Sequence, residues 1–296
     1  MGVLLQVMTL FLLMMAGLGA VRFRVLGDRD ISSLNAFVLY FAQPCLILAR
    51  LQQDTNPSLL RELGWVFALT CAVMLLSALL AHRLFHGQSH DRRAVLTNLA
   101  MASNCGFMGY PVITAAFGPD ALIYAVMYVT AFNLMCWTLG AYYFGGSKAV
   151  DPLRLIRNPS ILAIAAGVVL LLTGWRLPGF LNDALELMGS TTTPVAMFII
   201  GSRLLGLRRE HLLDLPLLGV CGLRLIAVPA AVLLLRLTPL PPMVVNAVYL
   251  CAAMPCAALT GMQSDLYDCD RALASRGVAL SSALSMVTVP LMLLFV

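Results

Sequence analysis

The sequence predicts an all-α membrane protein of ten transmembrane helices arranged as two inverted five-helix repeats, and three observations support this fold class. The 296 residues are 60% hydrophobic and only 11% charged, whereas a soluble domain usually has about 25% charged residues. Apolar runs of roughly 20 residues, the length that crosses a bilayer, recur along the whole chain. Two of these runs are interrupted by proline and glycine at corresponding places in the two halves.

Ten apolar runs are separated by short connectors that contain glycine, proline and charged residues. Each run is expected to be helical because lipid offers the main chain no hydrogen-bond partner, so every amide must be satisfied within the segment. In chain order the predicted spans are residues 3–21, 31–51, 63–85, 94–118, 121–144, 160–175, 184–205, 215–235, 244–267 and 272–295.

The basic residues predict the orientation of these spans. The even-numbered loops hold only Arg50, Arg61, Arg176 and Arg236. Because basic residues stay on the cytoplasmic side, we expect the odd-numbered loops in the cytoplasm and both termini on the outer, periplasmic side of a bacterial inner membrane. The basic residues of the odd-numbered loops are Arg22, Arg24, Arg29, Arg83, Arg92, Arg93, Lys148, Arg154, Arg157, Arg203, Arg208, Arg209 and Arg271.

The two halves share a pattern of prolines. Pro44 of span 2 corresponds to Pro194 of span 7, and Pro111 of span 4 corresponds to Pro255 of span 9. Prolines are common in membrane helices, so a chance match is the alternative. Because each half has five helices, the second half enters the membrane in the opposite sense. The predicted repeats are residues 1–148 (helices 1–5) and residues 149–296 (helices 6–10).

The middle of span 4 is the most unusual stretch of the chain. It contains Asn104, Gly106, Gly109 and Pro111. Proline removes a donor and clashes with the preceding turn, and glycine weakens a helix further. In a bilayer, such a break is tolerated only where it is buried in protein or lines a cavity. Span 9 carries a matching break at residues 252–256.

Spans 4 and 9 are predicted to enter the membrane from opposite sides, so their breaks have opposite orientations. The half-helices that begin after Pro111 and after Pro255 would present positive N-termini to a carboxylate. The C-terminal ends of the preceding half-helices would leave carbonyls for a cation or for polar groups. The pattern therefore favours an anionic substrate. The predicted substrate-binding residues are Asn104, Cys105, Gly106, Gly109, Pro111, Met254, Pro255 and Cys256.

Each candidate also has a purely structural interpretation. Asn104 can serve only to satisfy a broken backbone, and Gly106 and Gly109 can serve only close helix packing. Arg224, near the middle of span 8, can attract an anion, pair with a carboxylate or hydrogen-bond to main-chain carbonyls. Asp265 can relay a proton or be a solvated charge at a helix end. The second-tier candidates for substrate binding or coupling are Gln43, Pro44, Thr193, Pro194, Arg224 and Asp265.

Catalytic, metal and nucleic-acid sites are not predicted. The eight cysteines form no CxxC pair and lie mostly within apolar runs. The sequence has no HExxH zinc motif and no glycine-rich phosphate loop. The lysine and arginine residues lie in short connectors rather than in one stripe, which is not the pattern of a nucleic-acid-binding surface.

Several motifs make the chain similar to the auxin efflux carrier family, whose bacterial members include organic-acid permeases. Residues 34–44, an Asn followed by an apolar run that ends in Pro, resemble the second helix of that family. Residues 103–111, with Phe117 and Gly118, are the most specific match. The other matches are Asn158-Pro159 with Gly167, Pro194 with Gly201 and Leu204, residues 224–229, residues 253–255 with Tyr267, residues 273–275, Val278 and Pro290.

The resemblance implies a scaffold (panel) domain of helices 1, 2, 6 and 7 and a transport (core) domain of helices 3–5 and 8–10. Helices 4 and 9 would cross in the transport domain, an architecture shared with bile-acid sodium symporters and sodium–proton antiporters. Asn104 matches the position of a substrate-contacting Asn in plant members. The connection between helices 5 and 6, residues 145–158, is much shorter than in those members, which argues against auxin as the substrate.

The predicted function is secondary transport of a small organic anion, such as a mono- or dicarboxylate, by alternating access at the crossing of helices 4 and 9. No cofactor is expected, and coupling to H⁺ or Na⁺ stays open. The expected partners are the anionic solute and the lipid bilayer, with the scaffold domain as the surface for a homodimer. A sodium-coupled symporter of the bile-acid type and a non-transporting membrane sensor are the alternatives.

Overall fold

The computed structural model describes residues 2–52, 56–150, 159–203, 205 and 214–296. Within these residues β structure is limited to an isolated bridge between Ser103 and Cys256, so the all-helical prediction is confirmed. In the described part of the chain, six helices are long and apolar enough to cross a membrane, namely Arg29–Arg50, Pro57–Leu84, Pro119–Ala149, Gly179–Arg203, Leu215–Leu237 and Arg271–Leu293. Four shorter apolar helices are Met8–Arg22, Cys105–Phe117, Pro159–Thr173 and Pro242–Ala253.

Some residues used in the sequence predictions lie outside the described part of the chain. They are Arg154, Arg157, Arg208 and Arg209 of the cytoplasmic loops, and Asn158 and Leu204 of the family resemblance.

The described residues of the first half form α-helices joined by wider π turns. The π turns are Val38–Ala42, Cys105–Gly109 and Cys136–Gly140, and short 3₁₀ turns cover Pro119–Ala121 and Gly146–Ala149. The helices are Gly2–Arg22 (α1), Asp28–Phe37 (α2), Gln43–Arg50 (α3), Pro57–Leu84 (α4), His90–Met101 (α5), Tyr110–Phe117 (α6), Leu122–Met135 (α7) and Ala141–Gly145 (α8).

The described residues of the second half have the same character. A π turn at Leu223–Ala227 and a 3₁₀ turn at Leu234–Leu237 interrupt the α-helical geometry. The helices are Pro159–Thr173 (α9), Gly179–Ser190 (α10), Thr192–Arg203 (α11), Leu215–Gly222 (α12), Val228–Leu233 (α13), Pro242–Ala253 (α14), Leu259–Leu266 (α15) and Arg271–Leu293 (α16).

Three of the π turns come directly before a proline. They precede Pro44, Pro111 and Pro229, and in each case the residue four positions before the proline lies inside the turn. Proline has no N–H, and its ring clashes with the carbonyl of that residue in a regular α-helix. The wider π turn accommodates this carbonyl, so the helix continues through the proline. These prolines therefore change the course of a helix without ending it.

The chain forms two compact units. Unit 1 comprises Met1–Gly64, Gly106–Val126 and Pro152–Leu205, and it contains α1, α2, α3, α6, α9, α10 and α11. Unit 2 comprises Trp65–Cys105, Met127–Asp151 and Gly206–Val296, and it contains α5, α8 and α12 to α16. The long helices α4 and α7 begin in unit 1 and end in unit 2.

In unit 1, α1 and α11 pack at the distance that only glycine permits. A Cβ atom at Gly17 would lie 1.9 Å from the main-chain oxygen of Phe198, and one at Gly201 would lie 1.8 Å from that of Met14. Backbone atoms cannot move aside as the end of a long side chain can. Small residues at such crossings are the usual basis of close helix packing in membranes.

Glycines of α9 and α10 also allow close contacts with α3 and with Leu51, the residue that follows it. A Cβ atom at Gly167 would lie 2.4 Å from a side-chain carbon of Leu51, and one at Gly189 would lie 2.8 Å from the Cα atom of Leu46. The backbones of α3 and α10 therefore approach one another at Gly189, whereas Gly167 makes room for the side chain of Leu51.

Replacing Gly201 by alanine should destabilise the protein. The added methyl group would force α1 and α11 apart, and overpacking of this kind costs about 2 kcal/mol. The matched control is Gly64→Ala in α4, because a Cβ atom at Gly64 meets nothing within 4 Å and alanine favours the helix. Thermal unfolding of the purified variants measures the difference. Equal melting temperatures for the two variants would contradict this packing.

Candidate functional site

Two apolar helical spans are interrupted in unit 2, as the sequence predicted. The first lies between α5, which ends at Met101, and the π turn that begins at Cys105. The second lies between α14, which ends at Ala253, and α15. The residues that follow the two helices have extended conformations, with φ −91° and ψ 111° at Ala102 and φ −68° and ψ 151° at Met254.

The two interruptions hydrogen-bond to one another. Ser103 and Cys256 form an antiparallel bridge. The N–H of Asn104 donates to the carbonyl of Pro255 at 2.7 Å, and the N–H of Ala257 donates to the carbonyl of Ala102 at 2.9 Å. We call residues 102–104 and 254–257 the paired segment. Its bonds replace part of the hydrogen bonding that each helix gives up at its break.

The position of the first break differs from the prediction. The sequence placed a half-helix N-terminus after Pro111, but Pro111 lies within the continuous helical stretch from Cys105 to Phe117. The π turn before Pro111 accommodates the proline, and the extended residues lie upstream, at Ala102 to Asn104. In the second span the break does include Pro255, and α15 begins after it.

Two side chains from neighbouring helices lie against the paired segment. Ser281 of α16 accepts a hydrogen bond from the N–H of Cys256 at 3.0 Å. The hydroxyl of Ser103 lies 3.4 Å from that of Tyr128, a fully buried residue of α7. The main-chain N–H of Cys256 is thus satisfied by a side chain, as burial requires.

Arg224 donates hydrogen bonds at the C-terminal ends of both helices that precede the paired segment. Its side chain comes from the π turn between α12 and α13 and is completely buried. The guanidinium donates to the carbonyls of Ala100 at 3.1 Å, Met101 at 3.3 Å and Met254 at 3.3 Å, and also to that of Ala252. Of the three interpretations that the sequence left open for Arg224, the structure supports hydrogen bonding to main-chain carbonyls.

Asn104 makes a main-chain hydrogen bond in the paired segment and also has a side-chain donor that no acceptor satisfies among the described residues. Its main-chain N–H is used in the paired segment, while its side chain is 5% exposed. Within the described residues, no acceptor lies within hydrogen-bonding distance of its side-chain amide nitrogen. Leaving a buried donor unsatisfied costs about 1–3 kcal/mol. This amide is therefore suited to donate to an acceptor atom of a bound molecule.

A second group of buried amides lies around Gly140. Asn98 of α5 donates to the carbonyl of Gly140 at 3.3 Å, and Gln263 of α15 donates to the carbonyl of Cys136 at 2.8 Å. These bonds orient the amide oxygens of both side chains toward Gly140, where a Cβ atom would lie 2.7 Å and 3.6 Å from them. Gly140 thus leaves room for both amides between α5, α8 and α15.

The other predicted substrate-binding residues fall into two sets. Met254, Cys256 and Cys105 are buried in unit 2, and the first two belong to the paired segment. Gly106, Gly109 and Pro111 follow Cys105 in the helical stretch that continues into unit 1 at Gly106.

The second-tier candidates other than Arg224 are not part of the paired segment. Gln43 and Pro44 begin α3, and Thr193 and Pro194 lie in the first turn of α11, all in unit 1. Asp265 of α15 forms an ion pair with Arg271 at 2.9 Å, and its side chain is 42% exposed. This supports the interpretation of Asp265 as a solvated charge at a helix end.

Sequence reasoning missed three buried polar residues that bond to neighbouring segments of unit 2. Ser281, Asn98 and Gln263 were not among the candidates, although each is a fully buried polar residue in an apolar span. Polar residues at such positions usually face the protein interior and find partners there. That signal was present in the sequence, but it does not identify the partner.

Comparisons with known proteins extend over nearly the whole chain. A family model described as membrane transport protein matches residues 3–293. An uncharacterized transporter of Methanothermobacter thermautotrophicus is 30% identical over 275 residues, which cover 90% of this chain and 89% of that protein. An uncharacterized transporter of Methanocaldococcus jannaschii is 25% identical over 299 aligned residues, which cover 96% of each chain.

Replacing Ser281 by alanine should destabilise the protein by about 1–2 kcal/mol, because the buried N–H of Cys256 would lose its acceptor. Ser285→Ala is the matched control, since Ser285 is equally buried on the same helix but donates only to the carbonyl of Ser282. Thermal unfolding of the two purified variants compares them. A loss of stability as large in Ser285→Ala as in Ser281→Ala would argue against a specific role for Ser281.

Proposed function

Because the chain belongs to the membrane transport protein family, also called the auxin efflux carrier family, we propose that it transports a small organic anion by alternating access. The anion would be a mono- or dicarboxylate, and it would bind beside the paired segment. The protein would work as a secondary transporter in a bacterial inner membrane. Coupling to an ion gradient and the direction of transport are not part of the proposal.

The observation that carries this proposal is the paired segment itself. Broken helices are costly in an apolar environment, since each leaves main-chain groups without helical partners. Discontinuous helices that meet in this way are the usual site of substrate binding in secondary transporters. The match of the whole chain to a transporter family agrees with this interpretation.

The proposed preference for an anion rests on the groups around the paired segment. The side-chain amide nitrogen of Asn104 is a buried donor without an acceptor among the described residues. The helical stretch after Asn104 and α15 both start at the paired segment, and helix N-termini favour negative charge.

We also propose ten membrane crossings in two inverted repeats. In this arrangement α5 with residues 105–117 forms helix 4, and α14 with α15 forms helix 9. Each half then contains one interrupted helix, which is typical of inverted-repeat transporters. Unit 1 holds α1, α2 with α3, α9, and α10 with α11, the segments that correspond to helices 1, 2, 6 and 7, and it also holds α6 of helix 4. This supports a scaffold made of those four helices.

Enzymatic function is not proposed. Among the described residues, no group of three or more His, Cys, Asp and Glu side chains could hold a metal ion. Within the described part of the chain, the side chains that bond to the paired segment are Tyr128, Arg224 and Ser281, which include no nucleophile–base pair and no acid pair. The remaining competitor is a sensor that binds the anion without moving it, and measurement of flux distinguishes the two.

Replacing Asn104 by alanine should weaken anion binding at least tenfold. Hydrogen bonds to a charged group contribute about 1.5–3 kcal/mol, and every 1.4 kcal/mol is about tenfold in affinity. The probes are acetate, lactate, succinate and malate, tested by thermal stabilisation of the purified protein. For the probe that stabilises the wild type, the shift should be lost in Asn104→Ala.

The matched control for Asn104 is Asn133→Ala. Asn133 is similarly buried, but its amide nitrogen donates to the carbonyl of Val129 in its own helix. This variant should retain the stabilisation by carboxylate. Wild-type affinity in Asn104→Ala would remove Asn104 from the site. Binding without uptake of the same carboxylate into sealed proteoliposomes would favour a sensor.

The proposed topology can be tested by labelling single cysteines in a variant without native cysteines. Ser89→Cys, before α5, should react with a membrane-impermeant maleimide only after the cytoplasmic side is opened. Asp183→Cys in α10 should react in intact cells, because the beginning of this helix is expected outside. Both positions are exposed. The reverse pattern of labelling would overturn the orientation.

A further inference from the structure

The surroundings of Arg224 have the composition of a cation site. Within the described residues, its hydrogen-bond partners are four main-chain carbonyls, and no carboxylate is among them. Two of these carbonyls belong to the end of α5, and the other two, from Ala252 and Met254, belong to the end of α14 and the residue that follows it. Neutral oxygens around a buried positive charge are also the ligands that hard cations prefer.

These carbonyls are uncharged groups, but their position makes the electrostatic potential around them strongly negative. The last carbonyls of a helix have no intrahelical partner, and they carry the negative end of the helix dipole. Here two helix C-termini converge on one side chain. In secondary transporters, carbonyls at the C-terminal ends of broken helices are where a coupling Na⁺ is bound.

A fixed cation at this position is energetically consistent with complete burial. An isolated buried charge is very costly, but four carbonyls and two helix dipoles offset the cost for Arg224. Conversely, without the Arg224 side chain these carbonyls would lie in an apolar interior and lack hydrogen-bond donors. These carbonyls therefore need a partner when the two ends approach each other, and in this structure the guanidinium is that partner.

We propose that the guanidinium of Arg224 is a resident cation that occupies the place of a coupling sodium ion. The side chain is covalently attached, so the paired segment is held at all times and does not depend on sodium in the medium. Arg224 thereby determines ion specificity and makes the protein independent of Na⁺ at this position. The consequence for transport rests on the proposed function, whereas the occupancy of the carbonyls does not.

The proposal predicts that removal of the side chain creates a sodium site. The test measures thermal unfolding of the purified full-length chain in sodium chloride and in choline chloride at equal ionic strength, without any carboxylate. The wild type should unfold at the same temperature in both salts. Arg224→Ala should be less stable in choline, and saturating sodium should raise its melting temperature by about 5 °C.

Two further variants make the result specific. Arg224→Lys keeps a tethered positive charge and should show no response to sodium. Arg276→Ala is the matched control, because Arg276 is an arginine of unit 2 that donates within its own helix, to the carbonyl of Ala272. It should behave like the wild type in both salts.

Three outcomes would overturn the proposal. They are stabilisation of the wild type by sodium, the same response in Arg224→Lys, and a folded Arg224→Ala variant that does not respond to sodium. If Arg224→Ala cannot be purified, the wild type and Arg224→Lys still test the proposal, because a response of either protein to sodium contradicts a resident cation. No substrate or flux enters the experiment, so a failure of the proposed transport function would appear in the Asn104 experiment and not here.

Discussion

Main-chain polar groups in an apolar interior must be hydrogen-bonded without help from water, and the core of unit 2 depends on this constraint. Two helices break at Ala102 and Met254, and each break frees donors and acceptors. The donors are satisfied across the paired segment and by Ser281, and the acceptors are satisfied by Arg224. Each of these hydrogen bonds is directional, so together they hold the two breaks in one geometry.

At the paired segment, the side-chain amide nitrogen of Asn104 stays open among the described residues, at the point where two helical stretches begin. A buried guanidinium donates to the two helix ends that precede the same segment. The proposed binding position for an anion and a fixed positive charge thus share one pair of broken helices, which connects the proposed function with the inference about sodium.

The two units use different means of holding helices together. In unit 1, glycines let backbones approach directly, at Gly17 and Gly201 between α1 and α11. In unit 2, buried polar side chains such as Arg224 and Gln263 bridge the helices through main-chain carbonyls. The polar bridges of unit 2 surround groups that a ligand can contact. They support the binding role proposed for unit 2.

The sequence alone determined the helical membrane class and which two spans are broken, because hydrophobicity, span length, proline and glycine act locally along the chain. It placed the first break too late, at Pro111, since a local rule does not reveal that a π turn will accommodate the proline. Only the tertiary structure decided that the breaks pair with each other and that Arg224 reaches the carbonyl of Ala100, 124 positions away. Such partners are chosen by the packing of distant helices, because a buried donor bonds to whichever acceptor the fold brings near, and no local pattern specifies that acceptor.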